Sequence, residues 1–269
     1  MRRNFMTSLR PHSYDRGDAP PEMLLAAEKY ESRFSTSFDS LTFFSEGLLA
    51  ALHNTSGDIS DVPSNVVIAS LSDHSILDQM RVLSTIANVG EPSTDQRAQY
   101  FATLKSIYRK LPTRPDVATQ DEQTLFIGIE REGRILAESL GWLPTTHSFH
   151  PDAKRIPFEQ GLLVGLSRVP DLRNYETAYI IDGAIASGAT IISVVEKIRR
   201  HTSSVNIFSV HSPYEGLHSL TRYARSERLD LRITVGHATA GINKKFYATD
   251  PADPARLVVG DLGDTISGL

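Results

Sequence analysis

The polarity pattern changes character along the chain. Residues 1 to about 22 are polar and contain Pro11, Gly17, Pro20 and Pro21, which predicts a loose arm. From Leu24 to Leu52, apolar clusters recur at helical spacing among Ser, Glu and Lys. Phe34, Phe38, Leu41, Phe44, Leu48 and Leu52 would then share one helix face. That stripe reads as core packing rather than as the lining of a ligand pocket. His53 to Ser64 is a Gly/Pro/Ser/Asn connector. Val66 to Leu71 reads as a buried strand, followed by a mostly helical stretch to about Leu111 and a polar loop to Gln123.

Beyond this loop the pattern becomes regular. Leu125–Ile129 reads as a strand, Arg134–Leu140 as a short helix and Leu162–Leu166 as a strand. Ala178–Asp182, Val205–Val210 and Leu231–Val235 are further strands, separated by amphipathic helices over Thr190–Arg200 and Glu215–Arg225. Strands alternating with helices predict an α/β protein with a mainly parallel, helix-flanked sheet. Ligands in such sheets bind beyond the carboxyl ends of the strands. The loops after Ile129, Ile181, Val210 and Val235 are therefore the places to seek a site.

Composition narrows the classes. With 40% hydrophobic and 22% charged residues, the chain is not a disordered one. It has no cysteine, which excludes disulfides, zinc–thiolate sites, iron–sulfur clusters and a cysteine nucleophile. A net charge of −4 argues against a nucleic-acid partner. The longest apolar candidate, Ala178 to Val195, is interrupted by Asp182, so no membrane partner is expected. Met1-Arg2-Arg3 has no apolar stretch behind it, and the expectation is a cytoplasmic protein without a signal peptide.

The most informative segment is Tyr179-Ile180-Ile181-Asp182-Gly183-Ala184-Ile185-Ala186-Ser187-Gly188-Ala189-Thr190. It is a buried strand ending in a carboxylate, a turn of small residues and the start of a helix. Small residues let a ligand approach the backbone, and N–H groups at a helix start bind phosphate. Ser187 and Thr190 add hydroxyls, and Asp182 could accept hydrogen bonds from sugar hydroxyls. The arrangement is a ribose-5-phosphate site in outline. It is also what a helix start capped by Thr190 with no ligand would look like, and spacing alone does not separate the two. The segment lacks the lysine of a P-loop and is not G-x-G-x-x-G.

Other candidates carry less. His147 and His150 are three apart, and His211 and His218 are seven apart, but neither pair has a third ligand at metal-site spacing. His237 follows a strand aimed at the expected site, where a substrate contact is conceivable, and His74 is similar in kind. The Arg222/Arg225/Arg228 run is interrupted by Glu227 and followed by Asp230, as on an exposed helix face. No G-x-S-x-G serine-hydrolase segment is present.

The Asp182–Thr190 segment resembles the phosphoribosyl pyrophosphate (PRPP) motif of type I phosphoribosyltransferases, and within them the uracil phosphoribosyltransferase branch. Ile129-Glu130-Arg131-Glu132-Gly133 is similar to that branch's I-L-R-A-G segment, and Ser212-Pro213-Tyr214-Glu215-Gly216-Leu217 to its A-x-x-E-G-[IL] segment. Gly241-Ile242-Asn243 through Tyr247 resembles G-L-N-x-x-x-Y. Gly260-Asp261-Leu262-Gly263-Asp264 resembles the terminal P-G-L-G-D segment that embraces uracil. The segments occur in the family's order and cover roughly residues 120 to 269, more weakly from about 66.

The resemblance implies a type I phosphoribosyltransferase-like core over residues 61–269, preceded by an arm and largely helical extension over residues 1–60. It implies transfer of the phosphoribosyl group of PRPP to a nucleobase, with uracil giving UMP as the default, Mg²⁺ as cofactor and a homodimer as the assembly. Asp182 would hold the ribose hydroxyls, and Ala186, Ser187, Gly188, Ala189 and Thr190 the 5-phosphate. Arg131 and Gly133 would hold pyrophosphate, with Lys154 and Arg155 closing over it from a loop between strands. Asp264 would lie near the metal shell or the ribose, and Gly260, Asp261, Leu262 and Gly263 would hold the base.

The chain departs from the family at several points. Gly183 stands where the branch has proline and other branches a second acid, Asp261 replaces a glycine, and Gly260 replaces a proline. Thr239 aligns with an aspartate, and Thr249–Arg256 is an insertion. The phosphate end is thus better kept than the base end. A different heterocycle, a PRPP- or nucleotide-binding regulator without turnover, and a domain whose small-residue turn is only structural are the alternatives.

Overall fold

The computed structural model describes residues 10–53, 66–70, 74–111, 122–141, 147–239, 249–250 and 253–259. Its central sheet has six parallel strands: β3 (Val66–Ser70), β4 (Thr124–Gly128), β5 (Ser148–Phe149), β8 (Tyr175–Ala184), β9 (Thr202–Pro213) and β10 (Leu231–Thr239). Their spatial order is β3-β10-β9-β8-β4-β5. Successive side chains of a strand point to opposite faces, and both faces of β4, β8 and β9 carry buried apolar side chains. Leu125, Ile127, Ala178, Ile180, Val205 and Ile207 enter one core, while Phe126, Ile181 and Phe208 enter the other. Continuous apolar runs are the pattern of a sheet covered on both sides.

The covering helices divide between the faces. α3 (His74–Ala87), α4 (Thr94–Lys110) and α5 (Glu132–Ser139) bury Ile76, Leu83, Leu104, Ile107 and Leu136 with the Phe126 face. α6 (Ala189–Ile198), α7 (Tyr214–Glu227) and α2 (Glu46–His53) bury Ile192, Val195, Leu217, Leu220 and Leu48 with the Leu125 face. A capping box starts α4: the Ser93 hydroxyl accepts from Gln96 N, and the Gln96 side chain accepts from Ser93 N.

The expected α/β architecture with a parallel, helix-flanked sheet is observed, and two expectations are corrected. The N-terminal segment is mixed rather than largely helical. α1 (Pro21–Phe34) ends at Ser35 in the left-handed region (φ 51°). β2 (Ser40–Ser45) then pairs antiparallel with β1 (His12–Asp15) and with β7 (Gly161–Ser167). Leu41 and Phe44, expected on a helix face with Phe34 and Leu52, are therefore strand residues. All six residues of β2 are buried, so neither a helical nor an alternating period marked it. Glu31 fixes the turn: its carboxylate pairs with Arg16 and accepts the Phe38 N–H at 2.7 Å.

The second correction concerns Lys154 and Arg155. They do not lie on a loop but within β6 (Asp152–Phe158), which pairs with β7 to complete a four-stranded antiparallel sheet, β1-β2-β7-β6. Ile156 and Leu163 of this hairpin join Phe38, Leu41 and Phe43 in a third core. That burial holds as a strand what local polarity marks as a loop. A two-stranded ribbon, β11 (Thr249–Asp250) with β12 (Asp253–Leu257), falls in the inserted segment.

Glu31→Ala should lower the unfolding free energy by about 1–3 kcal/mol, because an ion pair and a backbone N–H lose their partner together. Arg81→Ala, which breaks only the exposed pair with Asp78, should stay within about 0.5 kcal/mol. Urea denaturation of the two variants against wild type makes the comparison. Equal effects would show that Glu31 does not hold the turn.

Candidate functional site at the carboxyl ends of the strands

The strand order reverses between β4 and β8. From β4 the chain passes through α5 to β5 on one side; from β8 it passes through α6, β9 and α7 to β10 on the other. The connecting helices accordingly lie on opposite faces. A crevice opens where such connections diverge, and it is the general ligand position in open α/β sheets. Asp182 and the residues after Gly128 stand on its two sides.

Asp182 is only 7% exposed. Burial pushes its carboxyl well above the usual carboxylate range, and the nearby Glu132 charge pushes the same way. Arg155 and the backbone N–H groups of Gly183 and Ala184 pull it down by less. Glu132 was not singled out from sequence. It is brought there by Gly133, where an added Cβ would stand 2.3 Å from Ile181 O and 3.3 Å from the Asp182 Cα. Only glycine lets α5 start so close to the end of β8.

The turn after β8 is held from below. Ile185 N donates to His211 O (3.0 Å) and Ser212 Oγ to Ile185 O (3.1 Å). Ser209 Oγ donates to Gly183 O (3.0 Å). Gly216, in the first turn of α7, packs so tightly that a Cβ would lie 2.5 Å from Ala186 O. Gly188 has φ 80°, a conformation glycine adopts without steric cost, and it opens α6. The first helical bond runs from Ile192 N to Gly188 O, so the N–H groups of Thr190 and Ile191 have no intrahelical acceptor. Ala186 and Thr190 are half-buried at the surface of the turn. Ser187, Gly188 and Ala189 are buried, and the Ser187 hydroxyl accepts from Ala189 N at 3.4 Å.

Arg131 is exposed at the N-terminus of α5, after a cis Glu130–Arg131 peptide bond. Glu130 was also not foreseen as part of the site. Its Oε1 joins Arg134 (3.1 Å) and Arg168 (2.7 Å), which fastens the start of α5 to the residue after β7. Lys154 and Arg155, as neighbours on a strand, point to opposite faces of β6. Lys154 pairs with Asp152 at 2.8 Å, and Arg155 is the one that acts on Asp182.

Beyond Asp182, the ends of β9 and β10 carry two histidines and a threonine, and Glu215 opens α7 with a buried Oε2 that has no hydrogen-bond partner among the described residues. His211 of β9 is fully buried and shares its Nε2 with Thr239 Oγ1 of β10 at 2.8 Å. His237 lies directly across from His211 in register, with ring centroids 6.1 Å apart. Burial lowers both imidazoles, His211 to about 3. Two other histidines have structural partners: His150 Nδ1 lies 3.2 Å from Gly128 O, and His147 Nε2 lies 2.8 Å from Arg173. His74 is exposed at the start of α3.

Gly260, Asp261, Leu262, Gly263 and Asp264 lie outside the described residues, as does the Gly241–Tyr247 segment. The residues before this tail are docked on α3 and α4. Ser84 Oγ and Asn88 Nδ2 donate to Leu257 O at 2.9 and 2.8 Å, and the Tyr100 hydroxyl donates to Val259 O. Among the described residues, no three His, Asp or Glu side chains converge as a metal cage. No helix among them is long and apolar enough to cross a membrane.

No protein-family model matches the chain, and no curated protein matches it. Among solved structures, the fold is similar to that of the AQ2163 protein from Aquifex aeolicus, with a TM-score of 0.51 and 20% identity over 76% of this chain and 99% of that one. Phosphoribosyltransferases are also among the structural neighbours. The adenine enzyme of Trypanosoma brucei, in complex with AMP, pyrophosphate and ribose-5-phosphate, covers 71% of this chain and 90% of its own at a TM-score of 0.41 and 12% identity. The orotate enzyme of Mycobacterium tuberculosis, in complex with PRPP, covers 61% and 90% at 0.34 and 10%. The first likeness concerns the fold alone, and the other two scores are too low to bear on function.

The buried carboxyl gives stability a definite pH dependence. Its pKa is raised in the folded state, so between the unfolded value of 3.8 and the folded value the native protein binds the extra proton. Stability therefore falls as pH rises through that window. Asp182→Asn should flatten this part of the stability–pH curve and leave the protein at least as stable as wild type at neutral pH. Thermal denaturation of both forms from acid to neutral pH reads the effect, and parallel curves would show that Asp182 is not held above its ordinary range.

Proposed function

We propose that the chain is a phosphoribosyltransferase that moves the 5-phosphoribosyl group of PRPP to a ring nitrogen of a nucleobase and releases pyrophosphate. The observation that carries the reading is the continuous construction from Asp182 to Thr190. A desolvated carboxylate at the switch point is followed by a tightly packed small-residue turn and a helix N-terminus. Uracil, giving UMP, is the first acceptor to try, on the sequence resemblance. The same resemblance supports a homodimer.

The reaction breaks the C1–oxygen bond to pyrophosphate and forms a C1–nitrogen bond, with positive charge spreading over the ribose ring between the two events. Such a reaction needs orientation and charge stabilisation more than a protein nucleophile. In this reading Asp182 accepts hydrogen bonds from the ribose hydroxyls, most strongly in its ionised form with both oxygens as acceptors. A raised pKa makes that state costly in the empty site and so favours a partner that donates to it. The N–H groups of Thr190 and Ile191 and the Thr190 hydroxyl take the 5-phosphate. Arg131 and Arg155 face the pyrophosphate. The scatter of carboxylates fits a magnesium ion that comes with the substrate, since Mg²⁺ is commonly bound by one or two carboxylates together with phosphate oxygens. Glu132 is the side chain that would reach its water shell, and Asp264 is assigned there on the sequence resemblance alone. When bound, the ion would neutralise charge on the leaving pyrophosphate.

The test is pyrophosphate release from PRPP and Mg²⁺ with a panel of bases, uracil first. Wild type should release pyrophosphate with at least one base. Asp182→Asn should lower turnover by about 10²-fold or more, the scale of losing one transition-state contact. Thr190→Val should weaken PRPP binding by about tenfold, the equivalent of one hydrogen bond to a charged group. PRPP affinity that is nil in wild type, or unaltered in Thr190→Val, would sink the phosphate-turn assignment.

A further inference from the structure

His211, His237 and Thr239 form a cluster that the phosphoribosyl site as drawn does not use. Ser209 is in register with Asp182 on one side and Val235 on the other. The next rung of the same sheet face, about 7 Å toward the loops, is Ala184, His211 and His237. Thr239 is two residues further along β10 on that face. His211 is 0% exposed, whereas His237 and Thr239 are half-buried. Among the described residues, the Nδ1 atoms of both histidines are buried and have no hydrogen-bond partner. Buried polar atoms normally find one; His211 is enclosed on all sides, so the half-buried His237 is the one whose missing neighbour can come from outside.

The strand order fixes where that neighbour belongs. Arg131 stands on the β4 side of Asp182, and the histidines stand on its β9–β10 side. Displacement at C1 brings the nucleophile in from the side opposite the leaving group. With pyrophosphate at Arg131 and the ribose at Asp182, the acceptor comes in over β9 and β10.

The protonation of His211 decides what can be recognised there. A neutral imidazole carries one proton. Placing it on Nε2 gives the N–H an acceptor in Thr239 Oγ1 and avoids burying an unmatched Nδ1–H. The Thr239 hydroxyl then has its own hydrogen left to donate outward. Resting on the phosphoribosyl-transfer reading, we propose that Thr239 and His237 contact the acceptor, with His211 positioning the Thr239 hydroxyl, and that they select an uncharged heterocycle bearing a ring carbonyl. Thr239 donates to the carbonyl oxygen, and His237 pairs with a neighbouring ring N–H. Neither side chain supplies the fixed positive charge that a carboxylated acceptor needs for its anionic group.

Calorimetric titration of uracil, adenine and orotate into protein saturated with ribose 5-phosphate tests this without requiring turnover. Uracil should bind, and adenine and orotate should bind at least tenfold more weakly. Thr239→Val should weaken uracil by about tenfold, Thr239→Ser should restore it, and His237→Ala should weaken it likewise. Ribose 5-phosphate affinity should be unchanged in all three variants, which separates loss of the acceptor contacts from misfolding. Preferential binding of orotate or adenine, equal uracil affinity in wild type and Thr239→Val, or no bound base on protein that does bind ribose 5-phosphate would overturn the assignment alone. Failure of ribose 5-phosphate to bind wild type would overturn both it and the phosphoribosyl reading.

Discussion

The structure is organised around a carboxylate held out of water at the end of a central strand. Asp182 cannot be explained as packing: its burial opposes its charge, and Glu132 adds to the opposition. An acid in such a place is tolerated when something on the molecule, or something that binds to it, repays the lost solvation. Arg155 and two backbone N–H groups do so in part. The remaining deficit lies at the switch point of the sheet, where the fold already leaves room for a ligand. Perturbed acids in clefts are candidates for function for this physical reason.

Much of the surrounding architecture serves to bring backbone close to that carboxylate. α5 approaches β8 through Gly133, and α7 approaches the following turn through Gly216. The two helices lie on opposite faces of the sheet, so the turn is fixed from both sides. The antiparallel sheet adds the third wall. Its β6 strand carries Arg155, and its hold on the core depends on β2, which the N-terminal segment supplies. The N-terminal segment thus contributes, through β2 and β7, to the placement of Arg155 beside Asp182.

The chain's own pattern revealed the central sheet because its strands are short apolar-rich runs, continuous in β4 and β8 and alternating in β10, each followed by a turn. Val66, Leu125, Ala178, Val205 and Leu231 all fall inside observed strands. β2 escaped because burial on all sides erased its period, and the SLTFFS sequence sits among helix-spaced residues. β6 escaped because a strand with Lys154, Arg155 and Pro157 reads locally as a loop until its pairing with β7 is known. In the site, Asp182 and the small-residue turn were legible because their chemistry is contiguous in sequence. Glu132 was visible only as one residue of a motif, and its proximity to Asp182 depends on how closely two elements pack. His211 and Thr239 are twenty-eight residues apart and meet only through parallel pairing of β9 and β10.

Electrostatics divides the crevice along the strand order. Toward β4 and β6 lie Arg131, Arg134, Arg155 and Arg168, balanced by Glu130 and Glu132. Toward β9 and β10 lie imidazoles whose pKa burial lowers, a threonine hydroxyl and, in the first turn of α7, Glu215 with a buried Oε2 that has no hydrogen-bond partner among the described residues. A ligand spanning both sides would meet arginines at one end and hydrogen-bonding imidazoles and a hydroxyl at the other. Among the described residues, His237 and Thr239 offer an anion over β10 no fixed positive charge to offset its desolvation. At the arginine side the same anionic group would find cations already in place. Asp182 stands at the boundary, where a cation-like centre that forms transiently between the two ends would be stabilised and neither end need change its own charge state.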